Sequence, residues 1–101
     1  MTGFDLITMG RVGVDLYPNQ SGVTLDQVTS FSRFLGGSAT NVAVAAARYG
    51  TSAAVITKVG DDPFGTYVRD ALEGFRVDGR WVGTDPDLRT VQDLRYHYDP
   101  V

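Results

Sequence analysis

The chain has 101 residues, no cysteine, and a formal net charge of −3 with no basic cluster. Disulfides, thiolate metal sites and a cysteine nucleophile are excluded, and nucleic acid or an anionic membrane is a poor match for the main partner. Hydrophobic residues make up 43% and charged residues 21%, ordinary for one globular domain, and 12 glycines suit an α/β protein with tight strand-to-helix turns.

The first strand is expected near residues 4–9, running into Gly10. A second extended piece follows at 12–17. There Val12, Val14 and Leu16 alternate with Gly13, Asp15 and Tyr17, so period two puts Asp15 on the face opposite the aliphatics. Pro18-Asn19-Gln20-Ser21-Gly22 is turn chemistry. Phe31, Arg33 and Leu35 alternate with Ser32 and Phe34, which predicts a strand covered on both sides and ending at Gly36-Gly37.

Ala39, Val42, Ala43, Ala46 and Ala47 then recur at helical spacing. Ser38 is the expected N-cap and Gly50 the residue just past the helix end. A buried face of such small side chains lets a helix approach a sheet closely. Residues 53–59 predict a buried strand. Asp62 and Pro63 then open a second helix, with Phe64, Tyr67, Val68, Ala71, Leu72 and Phe75 on its apolar face. Val77-Asp78-Gly79 breaks it, and residues 80–83 predict a short strand. From Thr84 onward the pattern is polar and irregular and assigns no element. Alternating strands and helices imply a parallel sheet. Such a sheet needs cover on both faces, and two helices are few for that.

The N-terminal stretch carries Asp5 and has no basic segment or long apolar core, so it does not read as a signal peptide. No apolar run approaches the roughly 20 residues of a membrane helix, and the cytoplasm is the expected compartment.

"GGSATN" fits neither G-x-G-x-x-G nor G-x-x-x-x-G-K-[ST], and Gly10-Arg11-Val12-Gly13 has the wrong spacing as well. A helix start behind glycines still favours anions. On the residues alone, Gly36-Gly37 is therefore either a plain tight turn or an anion site. Asp15 likewise reads as a solvated edge acid or as a ligand group. Asn41 is either a local turn cap or a ligand group. Arg11 and Arg33 are either surface arginines or a fork for a carboxylate. Asp61-Asp62 looks like a carboxylate pair, but helix capping explains Asp62 better. His97, in the aromatic tail Tyr96-His97-Tyr98, is the only histidine and has no assigned role.

Gly36-Gly37-Ser38-Ala39-Thr40-Asn41-Val42-Ala43, then Gly50, then Gly60, resemble the N-terminal signature of the ribokinase-like (PfkB) carbohydrate kinases. "GRVGVDLYP", "GGSATNVAVAAARYG" and "VITKVGDDPFG" extend the likeness across residues 4 to about 90, and are similar to the family's sugar-acid kinases. The resemblance implies an α/β, ribokinase-like parallel sheet with flanking helices plus a small β lid, of which this chain holds the N-terminal part. It places lid segments at about 12–35 and 80–90, and the α/β body at about 4–10 and 36–78. It implies Asp15, Gly36, Gly37 and Asn41 as substrate-binding residues, with Arg11 and Arg33 as further candidates.

Family chemistry is phosphoryl transfer from ATP, with Mg2+, to a sugar or sugar-acid hydroxyl. The base is an Asp in a Gly-Ala-Gly-Asp motif. No G-x-G-D occurs in these 101 residues. No catalytic residue, nucleotide site or metal site is therefore expected within this chain, and by itself it is expected to be inactive. Self-association through the lid or exposed sheet edges is a further expectation.

Overall fold

A computed structural model describes residues 3–96. The elements run β1 (Leu6–Met9), β2 (Gly13–Pro18), a 3-10 turn (Leu25–Gln27), β3 (Phe31–Gly36), α1 (Ser38–Arg48), β4 (Ala53–Gly60), α2 (Pro63–Gly74), β5 (Val82–Asp85) and β6 (Val91–Leu94). They build two three-stranded sheets, ordered β1-β4-β5 and β3-β2-β6. The first is wholly parallel, with Leu6 opposite Ala53 and Thr57 opposite Val82. In the second, β2 is antiparallel to β3, with Gly13 opposite Gly36, and parallel to β6, with Gly13 opposite Val91.

Local chemistry explains both helices. Gly37, at φ 105°, makes the turn that starts α1. A Cβ there would overlap the Arg11 carbonyl oxygen, so the position excludes side chains twice over. Gly50 ends α1 at φ 84°, as expected of the residue past a helix end. Asp62 caps α2 by accepting the Gly65 amide at 2.7 Å, with Pro63 behind it. The small face of α1 does lie close to the parallel sheet: a Cβ at Gly10 would stand 3.1 Å from that of Ala39.

The core lies between the parallel sheet and the two helices. Val55 and Val59 of β4 meet Val68 and Leu72 of α2, joined by Val12, Val14, Val77 and Val82. Burial of each such side chain contributes about 1.5–3 kcal/mol. Arg69 of α2 donates to the Val82 carbonyl at 2.8 Å and so ties α2 to β5.

Several expectations need correction. The N-cap of α1 is Gly37, and Ser38 is already helical, because the turn needs the positive φ. Ala39, Ala43, Ala46 and Ala47 of α1 face the core as expected, but Val42 is 52% exposed and Val44 packs inward instead. Phe31 and Phe34, on opposite faces of β3, are 43% and 53% exposed, so the strand is not covered on both sides. Residues 82–85 belong to the parallel sheet and not to the lid: Val82 is 6% exposed and closes the core beside β4. The third strand of the second sheet is instead β6, in the stretch where no element was assigned. His97 and the rest of the tail lie outside the described residues.

The parallel sheet is bare on one side among the described residues. Met9 and Ile56 are neighbours in register and are 77% and 40% exposed, with Trp81 beside them. A parallel sheet ordinarily has both faces covered. Sedimentation should therefore show concentration-dependent self-association, reduced by the double substitution Met9→Lys, Ile56→Lys. A monomer at every concentration would overturn this.

Candidate functional site

The C-terminal end of β1 opens onto a cavity of about 560 Å³ between the two sheets and the start of α1. Ligands of open parallel sheets bind in the crevice at this end of the strands. Gly10 and Arg11 line it from the chain leaving β1, Asp15 from β2, Gly37 and Asn41 from the start of α1, and Asp93 and Arg95 from β6 and just beyond it.

Asp15 is the central group. It is 9% exposed, and its Oδ1 is buried without a hydrogen-bond partner among the described residues. Arg95 Nε stands 3.4 Å from that oxygen. This is close enough for charge pairing, but the N–H is not aligned to donate. A buried carboxylate oxygen left in this state costs free energy unless a ligand donates to it. Ionised Asp only accepts, which suits hydroxyl donors.

Gly36 lies beneath this acid. A Cβ built there would stand 2.5 Å from Asp15 Oδ1 and 2.8 Å from Oδ2, so the carboxylate occupies the space a side chain would take. Gly37 brings the first turn of α1 to the cavity wall, and no side chain caps that turn. The amide groups of that turn are thus left without a side-chain cap at the cavity wall. Asn41 is exposed one turn into the helix, with its amide unbonded among the described residues.

The basic residues divide. Arg11 reaches the cavity and stands 3.6 Å from Asp93. Arg95 bridges Asp15 and Asp93, at 3.9 Å from the latter. Arg33 does not reach the cavity, since its guanidinium lies 4.3 Å from the centre of the Tyr67 ring, a cation–π contact on the far side of α1. Asp93 and Arg95 were not among the predicted residues. The only sequence signal was an acid and a base two residues apart, a spacing that shares one face of a strand.

Asp61 and Asp62 do not form a carboxylate pair. Asp61 is exposed, whereas the Asp62 carboxylate accepts the Thr90 amide at 2.8 Å, the Thr90 hydroxyl at 2.7 Å and the Gly65 amide. Those bonds, the Thr90 amide foremost, hold its carboxyl below the usual carboxylate range. With its oxygens so engaged, Asp62 is not placed to hold Mg2+. No cluster of three or more metal-ligating side chains occurs among the described residues. None of the described helices is long and apolar enough to cross a membrane.

This arrangement of a parallel sheet, a second small sheet and a polar cavity between them agrees with comparison to known proteins. Residues 4–96 match the pfkB family carbohydrate kinase pattern, and the chain belongs to that family. It is 42% identical over 77 residues to a 5-dehydro-2-deoxygluconokinase of Photobacterium profundum, covering 74% of this chain and 23% of that protein. It is 35% identical over 86 residues to a probable fructokinase-2 of Arabidopsis thaliana, covering 85% of this chain and 26% of that protein.

Among solved structures, an uncharacterized sugar kinase of Pyrococcus horikoshii in complex with ATP superposes with a TM-score of 0.82 at 34% identity, over 88% of this chain and 29% of that one. The 2-dehydro-3-deoxygluconokinase of Thermotoga maritima gives 0.80 at 26% identity, over 88% and 27%. The fold is thus ribokinase-like. The chain spans about a quarter of the length of the curated relatives cited here.

Proposed function

We propose that this chain supplies the acceptor-binding half of an ATP-dependent carbohydrate kinase. The acceptor is a sugar acid, foremost 5-dehydro-2-deoxy-D-gluconate in the cytoplasmic breakdown of myo-inositol. The observation that carries this reading is Asp15, which lines the cavity at the C-terminal end of the parallel sheet with its Oδ1 lacking a hydrogen-bond partner among the described residues and paired only in charge with Arg95. In the proposal Asp15 accepts hydrogen bonds from the sugar's hydroxyls, and the Asn41 amide adds donors and an acceptor. The guanidinium groups of Arg11 and Arg95 pair with the acid's carboxylate, which distinguishes it from fructose. Gly36 and Gly37 leave room for Asp15 and for the ligand, and the β3-β2-β6 sheet acts as the lid.

In the family the phosphoryl group comes from ATP. The transfer base of the Gly-Ala-Gly-Asp motif has no counterpart in these 101 residues. That observation favours a second reading, in which this chain alone binds sugar acid without turning it over.

Calorimetry with 5-dehydro-2-deoxygluconate, 2-dehydro-3-deoxygluconate and fructose tests the site. Binding should favour a sugar acid, and Asp15→Asn should weaken it roughly tenfold or more, since hydrogen bonds to a charged group contribute about 1.5–3 kcal/mol. A folded chain that binds none of the three removes the proposal. Phosphate transfer from ATP by the 101 residues alone would remove the second reading.

A further inference from the structure

The passage between the two sheets is short and almost unpacked. The chain leaves β5 at Asp85 and starts β6 at Val91. Of residues 86–90 in between, Pro86, Asp87, Leu88 and Arg89 are exposed, and Thr90 alone is buried, at 4% exposure. Apart from a local bond from the Asp87 amide to Asp85 Oδ1 at 2.9 Å, the crossing is held at Thr90, by Gly60 at the end of β4 and Asp62 just before α2.

Thr90 uses its backbone amide there, and its hydroxyl as both donor and acceptor. Its amide donates to Asp62 Oδ2 at 2.8 Å, and its hydroxyl donates to Asp62 Oδ1 at 2.7 Å. The same hydroxyl accepts the Gly60 amide at 3.0 Å. Two glycines keep this space open. A Cβ at Gly60 would stand 2.5 Å from Asp62 Oδ2 and 2.7 Å from the Thr90 nitrogen, and one at Gly65 would stand 3.2 Å from the Thr90 hydroxyl. Helix capping needs only the bond from the Gly65 amide to Oδ1. The bond from the Thr90 amide to Oδ2 is surplus to capping and has its own consequence.

We infer that Asp62 is a positioning residue for the cavity, because by gripping Thr90 it fixes where β6 begins and so holds Asp93 and Arg95 against Asp15. Little slack separates the clasp from the site. One residue on, Val91 lies opposite Gly13, and a Cβ at Gly13 would come 2.9 Å from the Val91 carbonyl oxygen. Five residues on, the Arg95 amide donates to the Leu16 carbonyl at 2.8 Å. Release of Thr90 frees the start of β6, which is then held by its pairing with β2, by the ion pairs of Asp93 and Arg95, and past its far end by the Tyr96 hydroxyl donating to the Val23 carbonyl at 3.0 Å. The inference rests on the cavity's geometry and not on the identity of the sugar, so a chain that binds none of the sugars above leaves it standing.

Amide hydrogen exchange on the 101-residue chain reads this directly. Asp62→Asn keeps an oxygen for the Gly65 amide but turns an NH2 toward the Thr90 amide, so it preserves the cap and breaks the clasp. Exchange at Arg95 and along β6 should speed up tenfold or more, while amides of α2 and β4 change less than threefold. Thr90→Val should reproduce the pattern except at the Gly60 amide, which loses its own acceptor and should also exchange faster, and Thr90→Ser, which keeps the hydroxyl, should restore protection. Unchanged protection of β6 in Asp62→Asn and Thr90→Val overturns the inference. So does acceleration of all elements together, or loss of folding in both variants, because the clasp would then be a general stabilising contact rather than a positioning one.

Discussion

Gly36→Ala should empty the cavity of its central acid while leaving both sheets assembled. The new Cβ would stand 2.5 Å from Asp15 Oδ1, 2.7 Å from Cγ and 2.8 Å from Oδ2, well inside van der Waals contact. Gly36 has no positive φ, so its backbone accepts alanine without strain. The conflict lies wholly with the Asp15 side chain, which must leave its rotamer at a cost of about 0.5–1.5 kcal/mol. The thermal midpoint should therefore fall only modestly. Affinity for a sugar acid should fall roughly 10- to 150-fold, the equivalent of losing hydrogen bonds to a charged group.

Gly37→Ala supplies the contrast. There the φ of 105° and the Arg11 carbonyl both resist a side chain, so stability and binding should fail together. Calorimetry and a thermal melt on the two variants separate the cases. Full affinity in Gly36→Ala would show that Asp15 is not the group that holds the ligand.

The two adjacent glycines illustrate how far the sequence carries. The sequence offered them as a tight turn or an anion site, and by resemblance as substrate-binding positions; what bars a side chain differs between them, and beyond the positive φ of Gly37 it is not local. Gly36 is excluded by an acid 21 positions earlier in the chain, and Gly37 by a carbonyl 26 positions earlier. The helices were legible because capping and period are local properties: Asp62, Pro63 and Gly50 act within a turn of themselves. Sheet membership was not. Val82 joins the parallel sheet because it completes a core with Leu72 and Val77, a tertiary fact that a four-residue strand cannot announce.

Strand β6 was missed for a related reason. Its inward positions are Val91 and Asp93, and its last aliphatic, Leu94, is 47% exposed, so its alternation is inverted by the acid that faces the cavity. Asp15, Gly37, Asn41 and Arg11 line one cavity, with Gly36 beneath Asp15. Arg33 is drawn off by Tyr67, and Asp93 and Arg95 arrive on the strand the pattern concealed. Where function puts a charge on an inward face, hydrophobic periodicity fails, and that failure marked the cavity side of β6.

Leu72→Ala should have the largest effect on the fold itself. Leu72 is wholly buried on α2 and belongs to the same core as Val55, Val59 and Val68. Truncating a leucine in such a setting costs about 2–5 kcal/mol, through lost transfer free energy and the cavity left behind. Entire domains are stable by only about 5–15 kcal/mol. This chain has less in reserve, because Met9 and Ile56 spend their apolar surface on solvent.

Leu72→Ala should therefore abolish the cooperative urea transition rather than shift it. Met9→Ala removes comparable apolar volume from a side chain that is 77% exposed, and should change stability by less than about 0.5 kcal/mol. The pair tests which face of the sheet carries the fold. If α2 and the helix-covered face are the core, the two substitutions differ by several kcal/mol. Equal destabilisation by both would mean that self-association through the bare face supplies much of the stability, and the core would then have to be drawn across two copies of the chain.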